Sequence, residues 1–120
     1  NTIQNKIGKD VRIFLLGFSQ GATLSTVSGL LMRNKINGIV AIAGFFSREN
    51  VEMLNVEPNK FNLPILILHG TKDEIVPIEQ GIESMEICKE LGCDVVMKTY
   101  EEKHKIPVSA MKIIREFISG

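Results

Sequence analysis

Three polar residues stand where chemistry would need them. Ser19 lies in "GFSQG", between two glycines directly after an apolar run. Asp73 lies in "HGTKDEIVP", after a second apolar run, and His104 lies in "EEKHKIP", after a third. A serine hydroxyl is a poor nucleophile near neutral pH, so an imidazole must take its proton as it attacks. A carboxylate must then hold that imidazole in one tautomer and stabilise the imidazolium that forms. Serine, acid and histidine in that chain order could therefore perform acyl transfer. Each also has a plainer reading. Ser19 could be a helix cap, Asp73 a turn residue with Glu74 as an alternative acid, and His69 a rival base.

Positioning these three residues requires a parallel sheet. "VRIFLL" (11–16) is short and nearly all apolar, which suits a strand buried on both faces. "INGIVAIAG" (36–44), "LPILILHG" (63–70) and "DVVMKTY" (94–100) supply three more strands. Helical spacing of Ala22, Leu24, Val27, Leu30 and Leu31 predicts a helix over 20–33. A second helix is expected over 78–92, with Ile82, Met85 and Leu91 inward. A third is expected over 107–119, with Val108, Met111, Ile114 and Phe117 or Ile118 on one stripe. Residues 1–9 look like a helix tail and a turn, and 45–62 like an irregular connection. Alternating strands and helices imply a parallel sheet covered on both faces, an α/β fold in three layers. In such sheets the functional edge is at the C-terminal ends of the strands, where Ser19, Asp73 and His104 all fall.

Composition excludes several alternatives. The 120-residue chain suffices for one domain, and at 44% hydrophobic it can bury a core. A formal net charge of +0 gives no electrostatic reason to expect nucleic acid or an anionic membrane as partner. No run approaches the ~18 apolar residues of a membrane span. Cys88 and Cys93 are expected as buried free thiols in a reducing, cytoplasmic setting, not as a disulfide or metal site. "GKD" (8–10) lacks the flanking glycine and hydroxyl residue of a phosphate loop.

"LLGFSQGATLS", "AIAGFF", "HGTKDEIVP" and "HKIP" before an apolar helix resemble the α/β-hydrolase superfamily. Within it they resemble the phospholipase/carboxylesterase group, which includes the acyl-protein thioesterases. The resemblance runs over nearly the whole chain and implies Ser19 as nucleophile, Asp73 as acid and His104 as base, with His69 a structural histidine. It implies the Gln20 backbone N–H as one oxyanion donor, with Gly17 and Gly21 clearing the sharp strand–helix turn. Phe45 and Phe46 are expected either to line an acyl pocket or to anchor the connection that follows them. The implied substrates are short- to medium-chain carboxylic esters or acyl thioesters, with no metal and no organic cofactor. A dienelactone-hydrolase-like enzyme is disfavoured by Ser19, because that group carries cysteine there.

Two departures from the pattern stand out. The group usually has glycine before the histidine, where this chain has Lys103, with Lys105 on the other side. A backbone needing φ > 0 there would be strained by a lysine. By the resemblance the chain is also expected to correspond to the C-terminal half of the fold only, a single partial domain over 1–120 without the N-terminal strands and the loop that donates the second oxyanion N–H. The alternative to an enzyme is thus a catalytically incomplete fragment or pairing module. The open edge of its first strand would then face a missing N-terminal half or a second copy in a homo-oligomer.

Overall fold

The computed structural model describes residues 11–55 and 61–120, so the helix tail expected over 1–9 lies outside the described residues. Four parallel strands form one sheet in sequential order: β1 (Phe14–Phe18), β2 (Gly38–Ile42), β3 (Pro64–Gly70) and β4 (Asp94–Tyr100). The helices are α1 (Gln20–Leu31), α2 (Arg48–Leu54), α3 (Ile78–Glu90) and α4 (Val108–Ser119). The expected α/β fold with about four parallel strands is present.

Alternation along the strands builds two cores. Ile39, Ile65 and Ile67 face Leu30, Ile87 and Leu91 from α1 and α3 and the turn that follows. Val40, Ile42, Leu66 and Leu68 face the other way, onto Ala110 and Ile114 of α4. A sheet buried on both faces needs strands apolar at every position, and β3 is the clearest case, with Ile65 through Gly70 all buried. Each fully buried Leu or Ile contributes about 1.5–3 kcal/mol. Helices on both faces give the three layers.

Several element details differ from the sequence reading. β1 begins at Phe14 and runs through Gly17 to Phe18, later than the expected 11–16. Gly17 looked like a turn residue but pairs with Ala41 inside the ladder. The connection 45–62 contains α2, whose start is fixed by a capping box between Ser47 and Asn50. In α3 the buried residues are Gly81, Ser84, Ile87 and Cys88, while Ile82 is exposed. In α4 the inward stripe is Ala110, Ile113, Ile114 and Phe117. Val108 and Met111 point to solvent, Val108 being 89% exposed.

Cys88 and Cys93 are free and buried. Burial pushes the Cys88 thiol well above its ordinary range and Cys93 up to about 11, so neither is a ready thiolate. Among the described residues, no helix is long and apolar enough to cross a membrane.

Candidate active site

The end of β1 sets the geometry. Ser19 has φ 59 and ψ −120, a left-handed conformation that L-residues avoid. It is held there from both sides. Its N–H donates to Ile42 O at 2.8 Å, extending the β1–β2 ladder by one residue. Its carbonyl accepts from Ala22 N–H at 2.9 Å, opening α1. The chain turns so tightly that a Cβ on Gly17 would run into the Gly21 carbonyl and Ser25 Oγ. Gly21 does not have the steric role expected of it, because a Cβ there would meet no atom within 4 Å. The Ser19 hydroxyl makes no capping bond to α1, which removes the plain helix-cap reading. It points instead to His104.

Asp73 sits in the loop between β3 and α3 with its side chain fully buried. Its Oδ1 accepts the N–H groups of Ile75 at 2.9 Å and Val76 at 2.8 Å. Its Oδ2 lies 2.7 Å from His104 Nδ1. An ionised carboxylate only accepts, so Nδ1 carries the imidazole proton. Nε2 is then the acceptor for the Ser19 hydroxyl, at 2.9 Å. The three residues thus form one hydrogen-bonded line at the C-terminal edge of the sheet.

The loop carrying His104 is tied down by Tyr100, whose hydroxyl donates to Lys105 O at 3.2 Å, and by Lys72 N–H, which donates to Glu102 O at 3.1 Å. Lys103 is not strained: the non-glycine residues with positive φ among those described are Ser19, Ala43, Asn55 and Asn62. The Lys105 ammonium is paired with Glu102 at 3.2 Å, which offsets its charge near the imidazole. Phe18 was not singled out from the sequence. Its ring lies 4.9 Å from the His104 ring, centre to centre, and supports the imidazole from the residue next to Ser19. The only available signal was its place as the middle residue of Gly-Phe-Ser.

The Gln20 N–H, at the start of α1, takes no backbone hydrogen bond among the described residues and stands beside Ser19. His69 does not approach Ser19 as a rival base, because its Nε2 is engaged by Val76 O at 2.6 Å. Phe46 is withdrawn into the core, 2% exposed, with its N–H donating to Ser84 Oγ at 2.7 Å. It anchors the connection after β2. Phe45 is half-buried and its carbonyl accepts from Thr23 Oγ1. The cavity the two border, between α1, α3 and the sheet, is about 10 Å³. That is room for one water at most.

A sequence profile of the Phospholipase/Carboxylesterase family matches residues 1–120. The chain belongs to the phospholipase/carboxylesterase family. It is 38% identical over 105 residues to acyl-protein thioesterase 1 of Gibberella zeae, covering 83% of this chain and 45% of that protein. It is 27% identical over 89 residues to a probable inactive carboxylesterase of Oryza sativa subsp. japonica, covering 74% of this chain and 36% of that protein. The crystal structure of Arabidopsis thaliana SOBER1 superposes with a TM-score of 0.78 at 28% identity, over 98% of this chain and 58% of that one. The chain spans about half the length of the curated relatives it matches.

In this phospholipase/carboxylesterase chain the electrostatics of Asp73 give a direct test. Burial, the largest influence, raises its pKa. The hydrogen bond to His104 and the Val76 and Ile75 N–H groups outweigh burial and hold the carboxyl below its ordinary value of 3.8. A carboxyl depressed in the folded state contributes stability that is complete above the unfolded pKa and is lost as pH falls through the folded one. Melting temperature should therefore drop as pH falls below about 4. Asp73→Asn should remove part of that slope. Parallel melting curves for parent and variant across this range would contradict the assigned hydrogen bonds.

Proposed function

We propose that this chain carries the nucleophile, acid and base of a serine hydrolase acting on carboxylic esters or acyl thioesters. The carrying observation is the unbroken line from Asp73 Oδ2 through His104 to Ser19 Oγ, ending on a residue held at φ 59. In this reading His104 Nε2 takes the Ser19 proton while Oγ adds to the acyl carbon. Asp73 keeps Nδ1 protonated and stabilises the imidazolium. The Gln20 N–H, at the positive end of α1, faces the developing oxyanion. Collapse of the tetrahedral intermediate gives the acyl-serine and releases the alcohol or thiol, protonated by His104. Water, activated by the same imidazole, then hydrolyses the ester. The substrate class follows from the resemblance to acyl-protein thioesterases and carboxylesterases, and short- to medium-chain acyl groups fit it.

A second reading has an observation of its own. Gln20 is the one oxyanion donor identified among the described residues, and such sites use two. A chain with the catalytic line but half of the oxyanion hole would be an incomplete fragment or a pairing module. A fluorophosphonate probe separates the readings. It should label Ser19, located by mass spectrometry of the labelled peptide, at a rate that collapses when the protein is unfolded beforehand. Labelling at another residue, or none from the folded protein, would sink the hydrolase reading.

A further inference from the structure

We infer that His69 is a positioning residue for Asp73, acting through the peptide groups of the 71–77 loop; the inference rests on the functional reading above. His69 is the penultimate residue of β3 and is completely buried. A carbonyl can only accept, so the 2.6 Å contact to Val76 O requires the proton on Nε2. Nδ1 is then a bare acceptor, and among the described residues it finds no partner. An apolar residue at this position would avoid an unsatisfied buried nitrogen. The ring must therefore do something that leucine or phenylalanine could not.

What it does is fix Val76 from the far side. The Val76 N–H donates to Asp73 Oδ1, and the Val76 carbonyl accepts from His69. One residue is thus clamped at both of its backbone polar groups, by the acid in front and by the buried imidazole behind. Oδ1 is occupied by the Ile75 and Val76 N–H groups, which leaves Oδ2 aimed at His104. The same bond keeps His69 from competing. Its Nε2 lies 3.8 Å from Asp73 Oδ2, too far for a hydrogen bond, and its single proton is already committed to Val76. If the ring were freed, it could turn that proton toward the oxygen that His104 uses. Space for the ring comes from α3: a Cβ on Gly81 would stand 2.6 Å from Nδ1.

The test follows the Asp73–His104 bond directly by NMR. The strongly deshielded proton of an imidazole N–H donating to a carboxylate reports it, and with 2 histidines in the sequence the assignment is by subtraction. His69→Gln keeps a donor near Nε2, whereas His69→Phe keeps the ring volume without one. The His104 signal should persist in His69→Gln and vanish in His69→Phe. Ester kcat should fall by about 10–100-fold in His69→Phe with KM little changed, and recover in His69→Gln. A signal and kcat unchanged in folded His69→Phe would overturn the inference. Should that variant fail to fold, Gly81→Ala decides, because its Cβ would stand 2.6 Å from Nδ1 and must displace the ring from its present seat. An unaltered His104 signal in Gly81→Ala overturns the inference, and its loss supports it. The NMR readout needs no turnover, so absence of esterase activity would count against the hydrolase reading alone.

Discussion

Replacing Ser19 by alanine is expected to lower hydrolysis of a p-nitrophenyl ester by on the order of 10⁵–10⁶-fold, and His104→Ala by nearly as much. The size follows from the geometry. In the proposed mechanism the 2.9 Å contact between Ser19 Oγ and His104 Nε2 would couple the two residues into one nucleophile. Without the imidazole the hydroxyl keeps its proton, and without the hydroxyl the imidazole has no covalent route to assist. Removing both should therefore cost little more than removing either. The double variant is the sharper measurement, because two independent sites would multiply their losses. Ser19→Ala hydrolysing within tenfold of the parent would place the nucleophile elsewhere.

The second large effect concerns the open side of the sheet. Among the described residues β1 pairs only with β2, leaving a free strand edge. Leu16 is 52% exposed, and Leu24 and Leu31 on α1 are 67% and 60% exposed. Gly21 faces open space on the same helix. Free apolar edges template pairing with other chains. The 120-residue chain alone is accordingly expected to scatter light as an oligomer or aggregate. With one oxyanion donor, its ester turnover should lie about 10²–10³-fold below that of a full-length relative. Supplying the upstream half of such a relative as a second polypeptide should raise solubility and rate together. A monomeric chain with turnover of about 1–10³ per second would contradict this.

How far the sequence could be read depended on where each residue's partner lies. β3 was legible almost to the residue because both faces of "LPILILHG" meet this chain's own helices. β1 was displaced because Val11 and Arg12 look more strand-like than Gly17, and pairing with Ala41 overrode that local preference. The inward face of α4 was misjudged at Val108 and Met111, since the small Ala110 fits closest to the sheet. Amphipathic spacing ranks residues by size, whereas close helix–sheet contact favours small ones. α2 went unnoticed although "SREN" spells its cap. At the site, residue types and chain order were enough to nominate Ser19, Asp73 and His104. Phe18 and Tyr100 were not singled out, and His69 was expected only as a structural histidine, because their contacts at the site are ones that no spacing rule encodes.

The backbone of Ser19 also restricts which chemistries this scaffold can exchange. At φ 59, ψ −120 the residue's Cβ is already crowded by its own main chain. A second substituent on that carbon has no low-energy place to go. Threonine, which offers the same hydroxyl, is therefore shut out by shape and not by reactivity. Cysteine has the unbranched Cβ of serine and fits. A single replacement can thus put a thiol where the proposed nucleophilic hydroxyl stands on this turn, while the conservative hydroxyl exchange is closed to it.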